Sequence, residues 1–193
     1  MKLLAATGNK GKLREIREIL EDENLIIISP EEAGIITDVL EDGHTFEENA
    51  IKKALALKDA SGMNVLADDS GLCVDALGGM PGVISARFSG VDATDEKNIS
   101  KLLNLMEGKK DRKAKFVCAL ALALTDGRII TASGECPGII TACPSGTGGF
   151  GYDPVFLDPG SRLTFAELSQ EEKNRISHRR KALEELKIIL KDL

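Results

Sequence analysis

The sequence predicts an α/β protein, on three observations. Lys2 to Ala6 reads as a strand that runs into the glycine loop Thr7-Gly8-Asn9-Lys10-Gly11-Lys12 and then into an amphipathic helix with Leu13, Ile16, Ile19 and Leu20 on one face. Two later segments open on the capping boxes Thr45-Phe46-Glu47-Glu48 and Ser169-Gln170-Glu171-Glu172, each followed by apolar residues at helical spacing. Lys115 to Thr125 and Arg128 to Ser133 are strand-like runs joined by Asp126-Gly127, the strongest short hairpin signal in the chain. At 193 residues the chain has room for one domain, or two intimate lobes, over 1–193 with no independent linker.

Composition narrows the function. A hydrophobic share of 42% excludes a disordered chain. A net charge of −6 and a single tyrosine argue against a nucleic-acid groove, which needs basic residues interleaved with aromatics. Any phosphate ligand must therefore meet a local positive cluster. Cys73, Cys118, Cys136 and Cys143 show no C-x-x-C spacing, so they read as small buried apolar residues in a reducing cytoplasm, without zinc or disulfides. The longest apolar run, Phe116 to Leu124, falls well short of the roughly 18 residues of a membrane span. The expectation is a cytoplasmic protein without a membrane or nucleic-acid partner.

The opening strand, loop and helix make a candidate phosphate cradle: free amides at a helix N-terminus, glycines that admit a ligand to the backbone, and Lys10 and Lys12. Walker spacing is absent, and a Gly-Asn turn before a helix is also ordinary punctuation between strand and helix. A second strand, Leu25 to Ser29, precedes a polar segment carrying Glu41 and Asp42. The helix after Thr45 continues through Ala50, Ala54 and Leu57 and bears Lys52 and Lys53, either of which could reach a phosphate.

Asn64 to Ala67 reads as a short buried strand that gives way to a turn at Ser70-Gly71, with Asp68 and Asp69 at the junction. Neighbouring carboxylates repel and call for a cation. A divalent metal held by one while the other orients or deprotonates a water is one reading, and turn aspartates capping the next amides are the other. Gly78 to Gly90 reads as an ordered loop around Arg87, and Asp95 caps a helix that runs to about Met106.

Four glycines between Gly146 and Gly151 surround Phe150, next to Tyr152 and Asp153. Ordering that many glycines is unfavourable unless the backbone must come close to something. The aromatics either offer a face to a nucleobase or pack inward. The final helix starts at Ser169 and carries Lys173, Ser177, His178 and Arg179. On an ideal helix Lys173 and His178 diverge by about 140 degrees, so both meet one ligand only if it lies across the helix or the helix bends.

Taken together, Thr7-Gly8-Asn9-Lys10-Gly11-Lys12, Ala67-Asp68-Asp69-Ser70-Gly71-Leu72, Gly148-Gly149-Phe150-Gly151-Tyr152-Asp153-Pro154 and Ser177-His178-Arg179 resemble the inosine triphosphate pyrophosphatase family in order and spacing. The likeness covers nearly the whole chain, with no departure in the four blocks. It implies an elongated mixed β-sheet with flanking helices forming two lobes around a substrate cleft, a homodimer, and Mg2+-dependent cleavage of ITP, dITP and XTP to monophosphate and pyrophosphate. Carried over by residue, it implies that Thr7, Gly8, Asn9, Lys10, Gly11 and Lys12 cradle the triphosphate and that Lys53 contacts phosphate. Glu41 and Asp69 serve the metal, with Asp68 a further candidate, and Asp69 accepts the proton. Ser70 touches substrate, Phe150, Gly151, Tyr152 and Asp153 line base and sugar, and Lys173, His178 and Arg179 close the pocket.

Overall fold

The computed structural model describes residues 2–21, 25–36 and 39–191. Among these, six strands form one mixed sheet: β1 (Lys2–Ala6), β2 (Ile26–Ile28), β3 (Val65–Val74), β4 (Lys113–Ala123), β5 (Ile129–Ile140) and β6 (Phe156–Leu157), in the order β2-β1-β3-β4-β5-β6. β1 pairs in parallel with β2 and β3, whereas β5 and β6 are antiparallel. The flanking helices are α1 (Lys10–Ile19), α2 (Phe46–Ser61), α3 (Asp95–Leu105), α4 (Gln170–Ile176) and α5 (His178–Lys191). The α/β class expected from sequence is the class observed.

The chain resolves into two compact units that interleave in sequence. One comprises Met1–Asp69, Cys118–Gly134 and His178–Leu193; the other comprises Ser70–Val117 and Glu135–Ser177.

In the first unit, the two-residue alternation of strands sorts side chains onto two faces. Leu3 and Ala5 of β1, Leu66 of β3 and Cys118, Leu120 and Leu122 of β4 pack with Ile16 and Ile19 of α1 and Ala182, Leu183 and Leu186 of α5. Leu4 and Ala6, Val65 and Ala67, and Ala121 and Ala123 face the other way, onto Ala50, Ala54 and Leu57 of α2. Small alanines on that second face let α2 lie close to the strands. Each fully buried leucine contributes roughly 1.5–3 kcal/mol, so both faces hold their helices firmly.

The second unit is built on Leu72 and Val74 of β3, Ile99 and Leu102 of α3, and the rings of Phe116, Phe156 and Phe165. Those rings lie 4.4, 5.8 and 4.9 Å apart by centroid, at the spacing of favourable aromatic pairs.

Several local expectations change. β3 does not end at Ala67; it runs unbroken through Asp68-Asp69-Ser70-Gly71 to Val74, so the carboxylates lie in mid-strand and the turn-cap reading lapses. β5 continues past Ser133 through Gly134 and Pro137, with alternate residues buried throughout. Thr94, not Asp95, caps α3, its side chain accepting from the Lys97 amide. Ser169 and Glu172 complete the capping box of α4, whereas at α2 only the Thr45 arm forms and Glu48 accepts from the His44 amide instead. The single C-terminal helix is two, broken at Ser177, whose backbone is extended (φ −65, ψ 155). Cys118 and Cys136 are buried as expected, but Cys73 is only half-buried and Cys143 is exposed.

Candidate active site

In the first unit the glycine loop ends where α1 begins. Asn9 is the N-cap: its Oδ1 accepts from the amides of Gly11 (2.8 Å) and Lys12 (3.1 Å), and its own amide donates to Thr7 Oγ1 at 3.1 Å. Gly8, Asn9 and Lys10 are exposed at this helix start, and the positive end of the helix dipole favours an anion there.

Successive residues of a strand point to opposite faces, so Asp68 and Asp69 part company. Asp68 turns toward α1 and α5. Its Oδ1 accepts from Lys12 Nζ at 2.6 Å, and its Oδ2 accepts from Arg179 Nε at 2.7 Å and from the Cys118 thiol at 3.2 Å. Arg179, 1% exposed, also donates through Nη1 to Glu15, which is fully buried in α1. Burial would push the Asp68 carboxyl up, but the Arg179 guanidinium and the Lys12 ammonium outweigh it and hold the group well below the usual carboxylate range.

Asp69 turns toward α2. Lys53 Nζ donates to its Oδ1 at 3.0 Å and to the Asp68 carbonyl at 2.9 Å, and Asn49 Nδ2 donates to its Oδ2 at 3.2 Å. Asn49 and Lys53 are one helical turn apart, so one stripe of α2 meets both oxygens of one carboxylate. Burial pushes Asp69 above an ordinary aspartate and Glu41 adds to the rise, against Lys53 and Lys12. Adjacent carboxylates are thus driven apart: the cations around Asp68 hold its carboxyl low, and burial raises that of Asp69.

Glu41 Oε1 lies 3.3 Å from Lys53 Nζ, so Glu41 and Asp69 converge on one positive centre. Among the described residues no three His, Cys, Asp or Glu side chains gather into a ready-made metal cage. Two carboxylates around one cation are nevertheless what a protein supplies to Mg2+ when water and phosphate oxygens complete the shell, and the pair fits that ion. Asp68, the further candidate, carries a cationic donor on each oxygen, Lys12 on Oδ1 and Arg179 on Oδ2. Of the two lysines left open by the sequence, Lys53 faces inward, while Lys52 is exposed and pairs with Asp42 at 2.5 Å. The Arg179 guanidinium, expected to help close the pocket, faces Asp68 and Glu15. His178, beside it at the start of α5, is buried.

The second unit holds the remaining candidates. Lys173 Nζ donates to Asp153 Oδ2 at 2.6 Å and lies 4.5 Å from the centroid of the Phe150 ring, a cation–π contact. The Phe150 amide donates to the same Asp153 oxygen at 2.9 Å. Gly149 (φ +72) must be glycine here, since a Cβ would stand 2.1 Å from Asp153 Oδ2. Gly151 donates its amide to Asp95 at 2.7 Å. Phe150 is half-buried, whereas Tyr152 packs inward with its hydroxyl on the Ser85 carbonyl at 2.9 Å. Burial, reinforced by Asp95, raises the Tyr152 phenol. Ser70 is half-buried in β3.

Sequence reasoning missed Glu15, Asn49 and Cys118. The available signal was a polar residue on an apolar helical stripe: Glu15 beside Ile16 and Ile19, and Asn49 beside Ala50 and one turn before Lys53.

Fold and site together define an α/β protein in which an exposed helix start stands beside two buried carboxylates of opposite character. The chain belongs to the Ham1 family, whose model matches residues 3–189. A dITP/XTP pyrophosphatase of Desulforamulus reducens is 52% identical, covering 100% of this chain and 97% of that protein. Among solved structures, the Ham1 protein of Staphylococcus aureus (42% identical, TM-score 0.89) covers 100% of this chain and 99% of that one. A HAM1 protein of Coxiella burnetii (41% identical, TM-score 0.90) covers 100% of both.

Proposed function

We propose that the protein hydrolyses the deaminated purine nucleoside triphosphates ITP, dITP and XTP to monophosphate and pyrophosphate, with Mg2+, as a cytoplasmic homodimer built of one domain over 1–193. The broader part, an enzyme that hydrolyses deaminated purine nucleotides, rests on family membership and on the name borne by its 52% identical relative. The observation that carries the chemistry is the divergence of Asp68 and Asp69: one carboxylate is locked by Arg179 and Lys12, and its neighbour is raised by burial.

In this reading the loop from Thr7 to Gly11 and the ammonium of Lys12 bind the triphosphate, and Lys53 offsets charge on the leaving pyrophosphate. Asp69 aligns a water on the α-phosphorus and takes its proton. When bound by Glu41 and Asp69, Mg2+ supplies Lewis-acid neutralisation of the phosphate oxygens. Ser70 contacts substrate. Phe150 stacks on the purine, with Gly151 and Asp153 shaping that loop, Tyr152 bracing it and Lys173 and His178 as donors to the base. Hypoxanthine and xanthine present a 6-oxo acceptor where adenine has an amino donor, so a site of donors pairs with the former and leaves buried groups unpaired with the latter.

A turnover panel of ITP, dITP, XTP, ATP, GTP and modified pyrimidine triphosphates, run in 18O-labelled water, tests the proposal. Deaminated purines are expected to lead, with label in the monophosphate and unlabelled pyrophosphate released. Pyrimidine preference, or orthophosphate and a diphosphate as products, would reject it.

A further inference from the structure

Asn49 is an amide at a fully buried position of α2, in the stripe that otherwise carries Ala50, Ala54 and Leu57. Both ends of its amide are used. Oδ1 accepts the Gly43 amide at 2.8 Å, and Nδ2 donates to Asp69 Oδ2 at 3.2 Å. The orientation follows from the partners, because a backbone N–H can only donate and a carboxylate can only accept.

Gly43 lies two residues beyond Glu41. A Cβ at Gly43 would fall 2.6 Å from Asn49 Oδ1 and 2.9 Å from the Glu48 Cβ, so the segment bearing Glu41 reaches this amide only through a glycine. One side chain therefore ties that segment to Asp69. Lys53, one turn along the same helix, holds the other Asp69 oxygen and also Glu41.

We propose that Asn49 is a positioning residue for the hydrolytic reaction: it clamps the Glu41 segment and Asp69 into one fixed arrangement, touching neither nucleotide nor water itself. A serine in its place is too short to reach both partners, and an alanine reaches neither. Asp69 would then keep Lys53 and lose its second restraint, and its free oxygen would sample orientations unproductive for a water on the α-phosphorus. The loss falls on the reacting geometry and spares the phosphate cradle, which Asn49 does not touch.

This inference rests on the proposed reaction, so its test has two arms. In the first, Asn49→Ser is expected to lower kcat for ITP by at least about tenfold, the size of one lost hydrogen bond to a charged group, with KM within about twofold. A folded Asn49→Ser enzyme with kcat unchanged, or with the loss wholly in KM, overturns the proposal. Should Asn49→Ser fail to fold, Gly43→Ala, which presses on Asn49 Oδ1 from the loop side, is expected to give the same kcat-weighted loss, and an unchanged kcat there overturns it equally.

The second arm needs no turnover. Hydrogen exchange of the Gly43 amide is expected to speed up about tenfold or more in Asp69→Ala as well as in Asn49→Ser, because removing the Asp69 acceptor frees the amide that holds Gly43. Unaltered Gly43 exchange in Asp69→Ala overturns the clamp. A wild-type protein inactive on ITP would reject the reaction, while the exchange arm still decides the clamp.

Discussion

Asp68 and Asp69 are consecutive residues of β3, yet Asp68 is bonded to Arg179 at 2.7 Å and Lys12 at 2.6 Å, while Asp69 is bonded to Lys53 at 3.0 Å and Asn49 at 3.2 Å. A strand places neighbours on opposite faces, so each carboxylate takes its hydrogen bonds from different side chains. Asp68 is held by two cationic side chains, and Asp69 by one cation and one neutral amide.

Asp69→Asn is expected to reduce kcat for ITP by at least about a hundredfold, in the range of a lost general base, while nucleotide affinity changes by only a few-fold. Equilibrium binding alongside steady-state turnover checks this. Ordinary rates in the folded variant would remove Asp69 from the proposed role.

Asp68→Asn is expected to act on stability first, by about 3 to 5 kcal/mol, because it leaves Arg179 and Lys12 facing a neutral group in the interior. The sign with pH follows from the depressed carboxyl. With a folded pKa well below the ordinary 3.8, the ionised group stabilises the fold fully above that ordinary value, and the contribution fades as pH falls toward the folded pKa. Denaturant unfolding of wild type and variant should show a constant gap at neutral pH that narrows below about pH 4, near the aspartate reference value. A gap independent of pH down to the acid limit would contradict the ion-pair account.

Arg179→Ala is expected to destabilise the fold by about 3 kcal/mol or more, since it strands the buried carboxylates of Asp68 and Glu15. ITP and ATP turnover should fall by a common factor. Selective loss of ITP at undiminished thermal stability would instead make Arg179 one of the residues that close the pocket, as the resemblance implies.

Gly149→Ala combines a left-handed backbone (φ +72) with a methyl 2.1 Å from Asp153 Oδ2, and should push that carboxylate off Lys173 and the Phe150 amide. Backbone strain alone is worth about 1 to 3 kcal/mol. The KM for ITP is expected to rise about tenfold, the equivalent of one lost charge-assisted bond, with binding of inorganic tripolyphosphate unchanged. Equal weakening of both ligands would show that this loop also serves the phosphate end.

Much of this protein was legible in the chain itself because the signals are short-range. Short apolar runs named β1 and, with the Asp126-Gly127 turn, the β4–β5 hairpin; helical spacing named α1, α2 and α3, and Ser169-x-x-Glu172 named the start of α4. Each depends on residues within a turn or two of one another, where propensity and capping act. The motif blocks likewise marked which side chains to examine.

Only the tertiary structure decided what those side chains face. Lys12 meets Asp68 across 56 residues of sequence and Arg179 meets it across 111, distances over which no local pattern carries information. β3 runs through Ser70-Gly71 because strand pairing and burial override a local turn preference, and that continuity is what puts Asp68 and Asp69 on opposite faces. The break at Ser177 has the same character: the capping box opens a helix, but packing ends it after Ile176 and starts another at His178. The roles of Glu15 and Asn49 were hidden for a related reason, since a polar residue on a helix declares itself functional only when burial removes water and leaves a particular partner.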